Sequence, residues 1–286
     1  MDDADVPGFL AGLGRPGLID LHVHFMPDRV LRKVWAYFDT VGWPITYRGD
    51  DAERLAVLRG LGVLAFPALL YPHKPGMAAW LNEWARDFAA RTPDNLSTAT
   101  FYPEPGAAQY TVDALTAGAR IFKAHLQVGA YDPRDPLLDP VWGVLAEAGV
   151  PVVCHCGDGP LPGEFTGVGP IGEVLRRHPS LTLVIAHCGL PRYADFLDLA
   201  ASHARVHLDT TMAFTDFSER TSPFPSHRRS QLADLGDRIV LGTDFPNIPY
   251  RYAHQLEALA RLDLGDDWLR AVLYDNGARL MGLSAA

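Results

Sequence analysis

GLIDLHVHF (17–25) is the stretch on which the reading of this chain turns. In an extended strand alternate side chains face the same way, so Asp20, His22 and His24 share one face while Leu21, Val23 and Phe25 share the other. The apolar row asks for a cover of helices. The polar row asks for an interior with solvent access, which the mouth of a parallel barrel provides.

Seven more short apolar runs follow at intervals: VLAFPALLY (63–71), LSTATFY (96–102), ARIFKAHL (119–126), VPVVCHC (150–156), LTLVIAHC (181–188), RVHLDTTM (205–212) and RIVLGTDF (238–245). Their brevity and apolar continuity fit buried parallel strands. Between them lie amphipathic segments. MAAWLNEWARDFAA (77–90) spaces Trp80, Trp84 and Phe88 four residues apart, as core packing would require, and PLLDPVWGVLAEAG (136–149) stops at Gly149. Helical stretches at 170–180, 191–203, 252–262 and 266–282 have the same placement. Strand and helix alternating eight times over 286 residues predict an α/β chain with a (β/α)8 TIM barrel, residues 1–286 forming one domain with loop insertions. A doubly wound open sheet is the alternative. The insertions, at 40–50, 157–169 and 213–227, all leave strand C-terminal ends. Trp43, Tyr47, Tyr131 and Phe214 on the loops suggest a flat substrate.

The face test extends to the other runs. Ile121, Lys123 and His125 fall together, as do Val153 and His155, then Leu183, Ile185 and His187, then Val240, Gly242 and Asp244. In each run the polar residue comes last on its face. Three imidazoles (His22, His24, His155) and one carboxylate (Asp244) suit zinc or a similar borderline cation with a position left open for water. Such water ionises near pH ~7 and becomes a nucleophile. His187 is placed to shuttle a proton or to stabilise an oxyanion. Each piece alone is ambiguous, since isolated histidines commonly serve structure and Asp244 could cap a turn. Their joint order and parity favour the site. Parity also turns Cys154 and Cys156 away from His155, so these residues read as small buried apolar groups. Asp209 reads as a support for the site or as a polar lining group.

On these motifs the chain resembles the amidohydrolase superfamily, and within it the amidohydrolase-related branch that includes aminocarboxymuconate-semialdehyde decarboxylase. The resemblance runs from IDLHVHF to the helix after GTDFP. It implies that His22, His24, His155 and Asp244 are metal ligands, that His187 is the catalytic acid/base, and that Asp244 also accepts a proton from water. Lys123 is the loose match. Some superfamily members carboxylate such a lysine to bridge two metals; here Lys123 with His125 is read as binding substrate or a second metal. One Zn2+ is expected, with Mn2+ or another divalent cation as alternatives.

The function expected is metal-dependent hydrolysis of a C–N or C–O bond (amide, lactam, lactone or ester) in a small molecule. Non-oxidative decarboxylation of an aromatic or enoic acid is the alternative, and a cationic clamp for the substrate carboxylate would mark it; Arg48, Arg134, Arg192 and Arg251 follow predicted strands. A barrel that only binds a ligand is the third reading. The formal charge of −9 argues against nucleic-acid binding. Three cysteines in apolar runs, an acidic N-terminus and no long apolar run lead to the expectation of a cytoplasmic enzyme with no membrane partner. A homodimer is expected from the branch.

Overall fold

Each of the eight apolar runs contains a β-strand, but the strands are shorter than the runs. The computed structural model describes residues 1–283. Among them are nine strands: β1 (Leu18–Ile19), β2 (Val63–Pro67), β3 (Asn95–Leu96), β4 (Thr98–Thr100), β5 (Ile121–His125), β6 (Val152–His155), β7 (Leu183–Ile185), β8 (Val206–Asp209) and β9 (Ile239–Val240). Two of them, β3 and β4, share the third run, with Ser97 between them. The residues divide into two compact units, one of residues 68–209 and the other of residues 1–67 with the described residues from 210 onward.

In the 68–209 unit, strands β4 to β8 pair in parallel in chain order. Parallel neighbours need a crossover, and helices Ala107–Thr116, Asp139–Ala148, Val168–Arg177 and Tyr193–Ser202 provide one after each strand. Both faces of β5, β6 and β7 are buried, which explains why these runs are apolar throughout. Gly149 ends the helix before β6 in the left-handed conformation, φ 66°, as its place in the sequence predicts.

The aromatic stripe is a correction. In helix Ala78–Arg91 the buried row is Ala78, Leu81, Ala85 and Phe88, whereas Trp80 and Trp84 are half-buried. Small residues at 78 and 85 bring the backbone close to its neighbours. The indoles stay at the margin, where Trp84 stacks on Phe88 at 5.1 Å and Arg91 lies over both rings.

In the other unit, β1 pairs with β2 in parallel. The chain then continues as a looser extended segment. Asp20 N–H bonds to Ala65 O (3.1 Å) and Leu21 N–H to Leu241 O (2.8 Å), while Val23 bridges Phe245 in parallel. The predicted strand 17–25 is interrupted because the Asp20 carboxylate takes the N–H of His22 at 3.1 Å, removing it from the ladder. Helices Asp28–Thr40 and Asp51–Gly60 occupy the stretch after this segment, and helices Tyr252–Ala260, Asp266–Arg270 and Asn276–Leu280 close the unit, the last two joined by a π-helical turn at Ala271–Asp275. Phe25 meets Phe66 at 5.6 Å in its core.

The predicted strand 181–188 also ends early, at Ile185. His187, Cys188 and Gly189 form a left-handed run with φ of 58°, 50° and 76°. Left-handed backbone costs an L-residue about 1–2 kcal/mol, so the run is held by other contacts: His187 N–H donates to Asp209 Oδ1 at 2.8 Å and Cys188 Sγ to Asp209 O at 3.1 Å. A Cβ on Gly189 would lie 2.0 Å from the Phe196 ring. Gly189→Ala therefore combines backbone strain with a collision against a buried ring, and a loss of roughly 2–4 kcal/mol in urea unfolding is expected. A change below about 0.5 kcal/mol would show that this turn does not have the tight packing described.

Candidate metal centre and active site

In the unit of residues 1–67 and 210 onward, His22, His24 and Asp244 come together. His24 Nε2 lies 2.9 Å from Asp244 Oδ1, and His22 Nε2 lies 3.5 Å from the same oxygen. The two imidazole centroids are 5.1 Å apart, edge to face. Both rings are buried, and the Asp244 side chain is 15% exposed. Residues 220 positions apart in sequence, His24 and Asp244, meet here because the backbone pairs their segments: Asp244 N–H bonds to His22 O (2.8 Å) and His24 N–H to Phe245 O (2.7 Å).

Asp244 is not the last residue of a strand. Strand β9 ends at Val240, and Asp244 adopts φ 73°. The turn is fixed from both sides, since Asn247 N–H bonds to Asp244 O (2.8 Å) and Thr243 Oγ1 accepts from Phe245 N–H (3.2 Å). A non-glycine residue kept in this region marks a site where geometry outweighs local preference.

Asp20 is the residue whose role the sequence did not reveal. It is fully buried and its carboxylate accepts three hydrogen bonds: His22 N–H at 3.1 Å, Thr243 Oγ1–H at 2.6 Å and Tyr252 O–H at 2.9 Å. Burial first, then the Asp20 charge, holds the Tyr252 phenol well above its ordinary range, so it remains a donor. One carboxylate thus links the His22 backbone to the residue before Asp244. The alternation Asp20-x-His22-x-His24 was a signal for it; nothing local marks Tyr252 as its partner.

In the 68–209 unit, His125, His155 and His187 form a row. The rings of His125 and His155 stack at 4.1 Å with planes 9° apart, and His187 meets His155 at 4.7 Å and 63°. Tyr71 packs on His125 from 4.7 Å. His125 and His155 close β5 and β6, whereas His187 stands in the left-handed turn past β7. His155 Nε2 donates to Gly159 O at 2.8 Å, which fixes the neutral tautomer with Nδ1 as its basic nitrogen. His125 Nδ1 accepts from Val128 N–H at 3.4 Å. Asp209 is a support, through its bond to the His187 backbone. Lys123 is fully buried, two residues before His125 on β5. Cys154 and Cys156 are buried and form no disulfide, and burial pushes the Cys156 thiol well up, as an inert apolar filler requires.

The aromatic side chains read as a substrate platform are occupied otherwise. Trp43 packs edge-on against Phe217 at 4.8 Å and donates Nε1–H to Asn247 O at 2.9 Å. Tyr47 bonds to Asp3 and Tyr252 N–H, Tyr131 is 4% exposed, and Phe214 is 5% exposed beside Phe224. Each serves packing within its unit, so the case for a flat substrate does not follow from them.

The family profile described as amidohydrolase matches residues 19–283. The chain belongs to the amidohydrolase family. It is an enzyme of that superfamily with the TIM-barrel fold. An uncharacterized TIM-barrel protein from Bordetella bronchiseptica is similar over 93% of this chain and 98% of its own, with TM-score 0.73 and 19% identity. The 5-carboxyvanillate decarboxylase of Sphingomonas paucimobilis matches over 94% of this chain and 100% of its own (TM-score 0.65, 16% identity). A probable 2-pyrone-4,6-dicarboxylic acid hydrolase from Acinetobacter baumannii matches over 93% and 100% (TM-score 0.65, 14% identity). No curated protein sequence matches significantly. Among the described residues of this amidohydrolase no helix is long and apolar enough to cross a membrane.

Asp20 offers a direct test of the clamp. Asp20→Ala strands three buried donors, each worth about 1–3 kcal/mol when left unsatisfied. A loss of at least 3 kcal/mol is expected in urea unfolding of the metal-free protein. Asp20→Asn should lose less than half of that, because an amide oxygen still serves His22 N–H and both hydroxyls can accept. Equal losses in the two variants would refute the clamp.

Proposed function

We propose that this amidohydrolase hydrolyses a C–N or C–O bond (amide, lactam, lactone or ester) of a small molecule, with one divalent cation held by His22, His24, His155 and Asp244. The observation that carries the reading is the convergence of two imidazole nitrogens on a single Asp244 oxygen. Nitrogen and carboxylate donors in that number suit a borderline cation such as zinc, with manganese next. His155 fits the same role. A ligating histidine commonly passes its other ring N–H to a backbone carbonyl, and the bond of His155 Nε2 to Gly159 O supports reading Nδ1 as the ligand atom.

Such a cation would polarise a carbonyl and ease deprotonation of water. The remaining steps fall to the chain's own residues. The Asp244 carboxylate takes the proton from the attacking water. His187, its backbone set by Asp209, acts as the acid toward the leaving group. Lys123 and His125 are assigned to the substrate, with Lys123 countering negative charge.

Hydrolysis is preferred over decarboxylation because the four arginines that follow predicted strands are engaged at the surface. Arg134 forms a bidentate pair with Asp132 at 2.8 Å, Arg192 bonds to Asp195 at 2.6 Å, and Arg48 and Arg251 pair with Asp39 and Asp2. Buried Lys123 is the feature that favours the second reading, non-oxidative decarboxylation, as in the 5-carboxyvanillate decarboxylase relative. The single family match from residue 19 to 283 supports treating the chain as one functional domain. We further propose that it acts on a small molecule, in the cytoplasm and as a homodimer.

The division of roles predicts two phenotypes. His155→Ala should lose bound metal, by roughly 10- to 100-fold in affinity or more, whereas His187→Ala should keep its metal and lose turnover by about 10²–10⁴-fold. Elemental analysis with assays on lactone, amide and aromatic-acid panels checks both. Equal metal loss in the two variants refutes the assignment, and CO2 release without hydrolysis selects the second reading.

A further inference from the structure

Arg54 lies on helix Asp51–Gly60, facing the core. It is 2% exposed, and its Nη2 pairs with Asp51 Oδ1 one helical turn away. Its Nε and Nη1 are buried and have no hydrogen-bond partner among the described residues. The guanidinium carbon lies 5.2 Å from the centroid of Phe25 and 5.3 Å from that of Trp35. A guanidinium keeps its charge at any physiological pH, and burying one with donors unmet is costly. Two aromatic faces offset part of that cost, since cation–π attraction strengthens where water is excluded.

Each ring leads to a proposed metal ligand. Phe25 directly follows His24 in the chain. Trp35 Nε1–H donates to Asn247 Oδ1 at 2.9 Å, and Asn247 N–H donates to Asp244 O at 2.8 Å. This second route ends on the turn that holds Asp244 at φ 73°. A methionine or leucine at position 54 would fill much the same space with no unmet donor, so packing alone does not account for a guanidinium. Fixing two ring planes at once does, because the cation is attracted to the faces of both rings.

We propose that Arg54 is a positioning residue: through Phe25 and Trp35 it sets the separation of His24 from Asp244 and so tunes affinity for the divalent cation. The inference rests on the metal reading above, and the experiment separates the two. Zn2+ affinity is measured by competition with a chromophoric chelator for the wild type, His24→Ala, Arg54→Met and Trp35→Phe, alongside the melting temperature of each metal-free protein. Arg54→Met is expected to bind Zn2+ roughly 10- to 100-fold more weakly while its metal-free melting temperature stays near that of the wild type. Trp35→Phe keeps a ring for stacking but lacks the bond to Asn247, and it should show a smaller loss in the same direction.

A packing role alone would lower the melting temperature and leave affinity unchanged in the folded protein, and that result overturns the proposal. Should Arg54→Met fail to fold, Trp35→Phe decides: wild-type affinity in that variant overturns the proposal, and weakened affinity upholds it. Zn2+ binding that is equally absent from the wild type and His24→Ala overturns the metal reading itself, and the inference with it.

Discussion

The buried Asp20 carboxylate is the constraint on which the histidine–aspartate pairing rests. It holds the His22 N–H, the Thr243 hydroxyl and the Tyr252 hydroxyl, and so joins the end of the first strand segment to the turn before Asp244. A buried carboxylate is tolerable only when its oxygens are fully engaged. Engagement by groups from residues 22, 243 and 252 converts that requirement into a fixed distance. His22 Nε2 and His24 Nε2 then reach one oxygen of Asp244.

The 68–209 unit solves a related problem by other means. Its histidines are held by stacking and by backbone contacts: His155 between His125 and His187, with Nε2 on Gly159 O, and His187 through its N–H on Asp209. Hydrogen bonding fixes the tautomer of His155, and stacking fixes its plane. A ring so held presents Nδ1 in one direction. That is the property wanted of a ligand whose affinity depends on not having to reorganise.

Much of this was legible because strand parity is a strict rule. The alternation in Asp20-x-His22-x-His24 and the terminal positions of His125 and His155 on their runs point to residues that the structure places side by side within each unit, whereas Asp244 lies past the end of β9, where parity no longer applies. The amidohydrolase motifs pointed the same way. What periodicity could not supply was where the regular strands stop. Asp20, Thr243 and Asp209 each use a side chain to capture a backbone N–H that a ladder would otherwise take; the first two captures reach only two residues along the chain and the third reaches 22, and hydrophobic periodicity marks none of them. Trp80 and Trp84 were misplaced for a different reason. Helical spacing identifies a stripe but not which of two adjacent stripes faces inward, and alanines at 78 and 85 give little hydrophobic signal while permitting the closest approach.

Two of the places where local rules fail are also places where chemistry is proposed. His187, Cys188 and Asp244 are non-glycine residues with φ between 50° and 73°, and each follows a strand that ends early. Had β7 and β9 run on regularly, His187 and Asp244 would have pointed as strand parity dictates, with their backbone groups committed to ladder bonds. The left-handed turn frees the side chain from that direction, and the energy it costs must be met by the surrounding contacts: Asp209 for His187, and Thr243, His22 and Asn247 for Asp244. At these two proposed acid–base and ligand positions the strain is braced from several sides, as an arrangement selected for geometry rather than for stability would leave it, while Ala130, Met212, Phe214 and Asp263 occupy the same backbone region with no assigned chemistry.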